Sequence, residues 1–117
     1  MGLVLDFCCL WDTLRAMNII HETDAFSEWL ESLRDLNARM RIMARINRAR
    51  AGNFGDYKVL DEGVCEMRID YGPGYRAYYA QEGLRVYLLL LGGDKTSQNK
   101  DIARAKALWR AIKEERQ

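Results

Sequence analysis

Residues 64–81 read VCEMRIDYGPGYRAYYAQ, and this stretch decides the fold. From Val64 to Tyr71 apolar side chains alternate with charged ones, which is the period of two expected of a β-strand. Pro73 presets φ and Gly74 can take the positive φ of a type II turn, so residues 71–75 predict a reversal of the chain. Residues 75–81 then form the partner strand. The apolar side of the first strand consists of Cys65, Met67, Ile69 and Tyr71, and the charged side consists of Glu66, Arg68 and Asp70.

A third strand and a last helix follow this hairpin. After a turn at residues 81–84, residues 85–91 form a near-continuous apolar run, as expected of a strand covered for much of its length. The sequence Gly92-Gly93-Asp94-Lys95 predicts the end of this strand, and Ser97 can cap the helix that comes next. The apolar stripe of that helix consists of Ile102, Ala105, Leu108, Trp109 and Ile112.

A strand and a helical hairpin precede the three strands. Residues 17–22 predict a short strand, and Thr23 or Asp24 can cap a helix over residues 25–35. A second helix runs to about Ala51 and ends at Gly52. Its expected buried side consists of Leu36, Met40, Ile42, Met43 and Ile46, with Arg41, Arg45 and Arg48 along the other side. The order β-α-α-β-β-β-α predicts an α+β fold with the helices on one face of a twisted antiparallel sheet.

Length and composition indicate one domain in a reducing compartment. The chain has 117 residues, of which 49% are hydrophobic and 30% charged, as is typical of an ordinary globular domain. Its three cysteines include an adjacent pair and no CxxC, which favours neither a zinc site nor a disulfide framework and suits the cytoplasm. The first sixteen residues are apolar but too short to span a bilayer and lack a basic leader, so no membrane partner is expected.

Charge is distributed unevenly along the chain. The net charge is +1. Residues 36–60 carry 6 basic and 1 acidic side chains, and residues 84–117 carry 8 basic and 4 acidic ones. This asymmetry indicates a basic surface built from two separate segments, with solvated helix faces as the alternative.

Several kinds of catalysis are disfavoured by the residues present. His21 is the single histidine, which excludes a two-histidine ribonuclease. No GxSxG, Walker loop or HExxH occurs, and Gly92-Gly93 resembles a phosphate-binding loop less than it resembles a turn. The acidic residues are spread over a loop and a strand, so ion pairing with nearby arginines is favoured over a magnesium site. They are Asp56, Asp61, Glu62, Glu66 and Asp70.

A cluster of cations and tyrosines remains. Period-two geometry places Arg68, Arg76 and Tyr78 on one sheet face, while Lys58 comes just before the three strands and Lys95 just after them. Arginine forks can clamp a phosphate, a lysine or tyrosine can transfer protons, and exposed tyrosines can stack on unpaired bases. The pattern therefore fits metal-independent RNA cleavage. It fits equally well a structural alternative in which Arg68 pairs with Glu66 and Asp70 and the tyrosines line a sheet.

Three blocks of sequence resemble the RelE/ParE toxin superfamily, closest to its HigB-like addiction module killer protein branch. They are GNFGDYK at 52–58, EGVCEMRIDYGPGYR at 62–76, and GGDKTSQ at 92–98 followed by DIARAK at 101–106. The resemblance runs from about Met17 to Lys106. It implies the RelE-like fold and a cytoplasmic toxin, silenced by a helix-turn-helix antitoxin, that cleaves mRNA on the ribosome without a metal or other cofactor.

The resemblance also implies which residues form the site. Carried over by position, Arg68 and Arg76 stabilise the phosphate and the transition state, while Lys95 and, by a weaker correspondence, Lys58 transfer protons or support charge. Tyr78 is the further catalytic candidate, and the general acid is unassigned. Additional RNA contacts are expected from Arg41, Arg45, Arg48 and Tyr71.

The superfamily leaves the target and the amino terminus open. Its ParE branch shares the fold but inhibits DNA gyrase without catalysis, and an inactive relative retained as a protein-binding module is a third possibility. Members begin at a strand like residues 17–22, so we expect the toxin domain at residues 17–117. Residues 1–16 are then an extension upstream of a natural start at Met17. The alternative is a hydrophobic arm that packs on the domain or on a partner through Leu3, Leu5, Phe7, Leu10 and Trp11.

Overall fold

The computed structural model of the protein describes residues 17–116. The strands are β1 (Ile19–Glu22), β2 (Tyr57–Val59), β3 (Val64–Ile69), β4 (Tyr75–Gly83) and β5 (Val86–Gly93), and the helices are α1 (Asp24–Ser32), α2 (Leu36–Arg50) and α3 (Gln98–Glu115). The α+β class is confirmed. The hypotheses about residues 1–16 lie outside the described residues. Within residues 17–116, no helix has the length and apolar character needed to cross a membrane.

The sheet has five strands in the order β1-β5-β4-β3-β2 and is mixed. From β2 to β5 each strand runs antiparallel to its neighbour, but β1 pairs parallel with β5. The prediction of a purely antiparallel sheet is therefore wrong, and the exposed three-residue strand β2 was not predicted. A parallel pair requires a long connection between its two strands. Here both helices of the hairpin and the strands β2 to β4 lie between β1 and β5 in the chain, and they provide that connection.

Helices cover both faces of the sheet, which corrects the prediction that all of them pack on one face. Phe26, Ile42 and Met67 belong to the core between the sheet and the helices α1 and α2. Trp109 of α3 packs in a second core on the opposite face, together with Leu90. The strands β3, β4 and β5 bury side chains on both of their faces, which supplies apolar residues to both cores. Alternation in the sequence therefore does not show which face of the sheet a helix covers.

The glycine pair Gly92–Gly93 ends β5 and does not form the predicted turn or a phosphate loop. A Cβ atom at Gly92 would lie 2.0 Å from the ring of Trp29 on α1. On the other face, a Cβ at Gly93 would lie 1.9 Å from a carboxylate oxygen of Asp101 on α3. Glycine is thus required on both faces of the strand to let a helix approach closely.

The ends of the helical hairpin agree with the predicted caps. The Thr23 hydroxyl accepts a hydrogen bond from the Phe26 N–H at 3.1 Å and begins α1. Gly52, with φ +97°, follows the last turn of α2, and the Asn53 N–H donates to the Arg48 carbonyl at 2.9 Å, which completes a Schellman motif. Before α3, by contrast, Ser97 makes no side-chain cap to that helix.

The buried side of α2 differs from the prediction. Leu36 and Met40 are each 66% exposed, and Met43 is 50% exposed. The buried face instead consists of Ala38, Ile42, Ile46 and Ala49. The two small alanines allow the helix to lie close to the sheet, and this close approach turns the larger methionines and the leucine outward.

Candidate functional site

The centre of the site is a pair of arginines on adjacent strands. Arg68 of β3 and Arg76 of β4 lie directly opposite each other in the register, on the face that α3 covers. Two like charges in this position repel each other, so the pair needs an opposite charge nearby. Glu66 supplies that charge. Its side chain is fully buried, and Oε1 accepts a hydrogen bond from Arg68 Nε at 3.1 Å while Oε2 lies 4.0 Å from Arg76 Nε.

Glu66 is held ionised by its neighbours. Burial alone would raise the pKa of the carboxyl group, because an apolar surrounding disfavours the charged form. The hydrogen bonds from Gln98 and Arg68 and the charge of Arg76 outweigh burial, and the pKa lies below its ordinary value. Gln98 contributes from the first turn of α3, donating from Nε2 to Oε2 at 2.8 Å. The ionised triad of one glutamate and two arginines keeps a net charge of +1.

Arg68 and Arg76 line an open groove of about 410 Å³ at the end of the sheet, and Lys95 joins them there. Lys95 arrives from β5, and its backbone N–H donates to the Pro73 carbonyl at 3.4 Å, next to the turn of residues 70–74. Arg68 makes its ion pair through Nε, and its side chain is 37% exposed. The ends of its guanidinium group are therefore available to an anion in the groove.

The three firmest sequence-predicted cations thus lie together. The groove is not uniformly basic, because Asp56 and Asp70 also line it. The structural alternative is confirmed for the pair of Arg68 with Glu66, but this pairing does not remove Arg68 from the groove.

Lys58 and Tyr78 flank Glu66 in the sheet but do not join the groove. Lys58 is opposite Glu66 on β2 and is exposed. Tyr78 is opposite Glu66 on β4 and fully buried. Burial and the nearby carboxylates of Glu66 and Asp101 raise the pKa of the Tyr78 phenol, whose hydroxyl has no hydrogen-bond partner among residues 17–116. The prediction of Tyr78 as a catalytic residue is wrong, because α3 covers this part of the sheet and the side chain is fully buried.

A second groove adjoins the first on the side of α2. It is lined by Arg41, Ala44, Arg45, Arg48, Ile69 and Asp70, and it shares Ile69 and Asp70 with the first groove. The Arg41 guanidinium carbon lies 4.6 Å from the centroid of the Tyr71 ring, in a cation–π contact. The Tyr71 hydroxyl in turn donates to Asp35 at 3.1 Å. Arg41 and Arg48 are exposed and remain candidates for RNA contact.

Arg45 has a structural role, which corrects its prediction as an RNA ligand. Its guanidinium group donates to the carbonyl oxygens of Phe54 at 3.0 Å and Asp56 at 3.2 Å, and also to that of Arg68. Burial lowers the pKa of Arg45. Gly55 has a φ of +66°, and a Cβ atom there would lie 2.8 Å from the guanidinium group. Arg45 and Gly55 therefore fix the loop that contributes Asp56 to the first groove.

Two of the other acidic side chains named in the sequence, Asp61 and Glu62, form ion pairs with α3. Glu62 pairs with Arg110 at 2.5 Å, and Asp61 lies 3.9 Å from Lys106. In the part of the chain that the structure describes, no three His, Cys, Asp or Glu side chains are grouped to hold a metal ion. His21 is exposed on β1, at the edge of the sheet opposite to β2.

Sequence reasoning did not assign Glu66 and Gln98 to the site. The signal for Glu66 was present, because Glu66 precedes Arg68 by two residues and so lies on the same face of the strand. The signal for Gln98 was absent, because it reaches Glu66 only when α3 packs on the same face as the arginines.

The fold and the groove define a small α+β protein in which two arginines and a lysine converge beside a buried glutamate. The chain belongs to the same family as an uncharacterized protein of Haemophilus influenzae, with which it shares 47% identity over 89 residues. The similarity covers 76% of this chain and 90% of the relative. No family model matches the chain, and no solved structure matches it.

Proposed function

We propose that this protein is the toxin of a type II toxin–antitoxin system and inhibits growth by ribosome-dependent, metal-independent cleavage of mRNA. The observation that carries the proposal is the convergence of Arg68, Arg76 and Lys95 on one open groove. The blocks of sequence that resemble the RelE/ParE superfamily supply these same residues. On this basis we assign the α+β fold to that superfamily and expect a helix-turn-helix antitoxin and a cytoplasmic location.

The groove has the groups that such a reaction uses. Cleavage through the 2′-hydroxyl builds negative charge on the phosphate, and preorganised cations lower the barrier by stabilising that charge. Arg68 presents its guanidinium fork. Arg76, only 13% exposed, lies 4.0 Å from Glu66 and donates from Nη1 to the Gly74 carbonyl at 3.4 Å. Lys95 is exposed at the rim, where a lysine can support charge or exchange a proton.

The decisive experiment is brief expression of the protein followed by growth measurement and mapping of mRNA 5′ ends. We expect growth arrest and cleavage inside translated frames, and we expect both to be lost in Arg68→Ala and Arg76→Ala. Arg104→Ala is the matched control, because Arg104 is exposed on α3 and lines neither groove. Circular dichroism verifies that each variant folds.

Three other outcomes of this experiment would contradict the proposed activity or its site. Cleavage that persists in both arginine variants would mean that the groove is not the site. Intact mRNA together with gyrase-linked DNA breaks would identify an inhibitor of the ParE type. Normal growth at high protein levels would leave an inactive relative that acts as a binding module.

A further inference from the structure

The outer face of α2 carries three large apolar side chains in a row. Leu36, Met40 and Met43 are spaced i, i+4 and i+7, so they lie along one side of the helix, and each is at least half exposed. A shallow depression lined by Asn37, Met40, Arg41, Ala44 and Tyr71 runs beside them. Single exposed apolar residues are common, but a row at helical spacing is the pattern by which one helix binds another. We call Leu36, Met40 and Met43 the α2 stripe.

We propose that the α2 stripe is the docking site for an acidic amphipathic helix of a partner protein. The charge of the helix identifies the chemistry of the occupant. Residues 36–50 contain five arginines and no acidic residue. Arg45 points to the loop at residues 54–56. Of the other four, Arg39 lies three residues after Leu36 and Arg50 seven residues after Met43, so both follow the stripe along the helix, and Arg41 lines the depression beside it. A partner that buries the methionines must therefore bring carboxylates to face these arginines.

Two other occupants fit less well. A nucleic acid would pair with the arginines but would gain nothing from covering Leu36, Met40 and Met43, because phosphates do not bury apolar side chains favourably. A second copy of this chain would present the same basic helix, so that like charges would face each other across a two-fold axis.

The position of the stripe connects it to the candidate active groove. Arg41 lines both the depression beside the stripe and the groove on the side of α2. That second groove shares Ile69 and Asp70 with the groove of Arg68, Arg76 and Lys95. A helix seated on the stripe would cover Arg41 and extend toward the cations. The partner would thereby weaken RNA binding without having to occupy the catalytic groove itself.

This inference rests on the proposed function in one respect, since the partner to be tested is the expected helix-turn-helix antitoxin, which in this superfamily is usually encoded by the neighbouring gene. The full chain is mixed with that protein, and the dissociation constant is measured by calorimetry. Met40→Glu places a negative charge on the stripe. Leu84→Glu is the matched control, because Leu84 is 89% exposed in the β4–β5 turn, away from α2.

We expect Met40→Glu to weaken binding by about 30-fold or more, the scale of a central interface residue, while Leu84→Glu leaves it unchanged. Met40→Glu should still arrest growth, and the neighbouring protein should no longer rescue it. Equal affinity of Met40→Glu and wild type would overturn the inference, and so would absence of binding by the wild-type chain.

Two further outcomes would assign the stripe to another occupant and overturn the proposal. A wild-type dimer that Met40→Glu converts to a monomer would identify a second copy. A large loss of thermal stability in unbound Met40→Glu, but not in Leu84→Glu, would show that the stripe is covered within the chain. If the wild-type protein is not toxic but binds through Met40, the docking inference stands and the proposed function fails.

Discussion

Replacement of Glu66 by glutamine tests whether one buried carboxylate holds the arginine pair together. The carboxylate accepts hydrogen bonds from Arg68 and Gln98 and lies 4.0 Å from Arg76. Glutamine has nearly the same shape but only one acceptor oxygen, so its amide group must face one of these donors. The two guanidinium groups then lose their common counter-charge.

The size of the effect follows from burial. Removing one partner of a buried ion pair costs about 3–5 kcal/mol, because the remaining charge is left uncompensated. Arg68 is 37% exposed and can be partly hydrated, which favours the lower end of this range. We therefore expect the free energy of unfolding to fall by about 3 kcal/mol and the melting temperature by about 12 °C for a domain of this size. Denaturant unfolding measures the first quantity and calorimetry the second.

The pH dependence separates the charge of Glu66 from its shape. The pKa of Glu66 in the folded protein lies below the ordinary value of 4.5. The contribution of its charge to the free energy of unfolding is therefore fully present above about pH 4.5. The contribution is lost as the pH falls through the lowered folded-state pKa. The difference in stability between wild type and Glu66→Gln should therefore be constant from pH 7 to pH 5 and shrink in more acidic solution.

A matched control is available in Glu62→Gln. Glu62 pairs with Arg110 on the surface, where the loss of an ion pair costs less than about 1 kcal/mol. Equal stability of Glu66→Gln and Glu62→Gln at pH 7 would refute the reasoning. If the difference in stability between wild type and Glu66→Gln stays constant below pH 4, the charge of Glu66 does not cause it, and only a packing effect is left.

Three other substitutions test the packing around the site. Gly93→Ala should destabilise the protein by about 2 kcal/mol or more, because the new methyl group would overlap a carboxylate of α3. A methyl group at Gly83 would make only an ordinary contact with Val86 at 4.0 Å, so Gly83→Ala should change stability by less than about 1 kcal/mol. Arg45→Lys should cost about 2 kcal/mol, since an ammonium group cannot reach all three carbonyl oxygens, and the exposed Arg48→Lys should be nearly neutral. Thr23→Ala should cost about 1–2 kcal/mol through loss of the α1 cap. Urea unfolding checks all three. Equal stabilities within either pair would contradict the packing argument for that residue, and wild-type stability of Thr23→Ala would contradict the role of the cap.

The strands of the hairpin and its turn could be predicted because their signals are local. Alternation fixes β3 and β4, and Gly74 takes the positive φ of +78° that its position required. Gly72 is also at positive φ, +57°, so the turn uses both glycines around Pro73. The partner of β1 could not be predicted, because pairing between segments far apart in sequence leaves no local pattern. The strand β2 escaped notice because three exposed residues carry no periodicity.

The orientation of α2 was missed for a different physical reason. Two apolar rows run along the helix, and hydrophobicity alone favours the row with the larger side chains. Close packing on the sheet favours the other row, where Ala38 and Ala49 leave room for the strands. The same orientation decides that Arg45 reaches inward to the loop, while Arg41 and Arg48 stay at the surface. Arg68 and Arg76 could be predicted from the geometry of their strands. Which arginines of α2 are structural and which are accessible depends on how that helix packs on the sheet, and the sequence does not show this.

The placement of α3 is what gives the site its chemistry. Without α3, Glu66 would lie on an open sheet face, where water would screen its pairing with Arg68 and Arg76. The helix covers that face and brings Gln98 to the free carboxylate oxygen, so that Glu66 binds the inner part of Arg68 and leaves the outer part to the groove. Gly93 makes this approach possible, because it lets Asp101 come against β5 while the Ser97 hydroxyl donates to Asp101 at 2.5 Å. The contacts that hold α3 against the sheet therefore also keep Gln98 on Glu66, and a loosened helix should weaken both the fold and the binding of an anion in the groove.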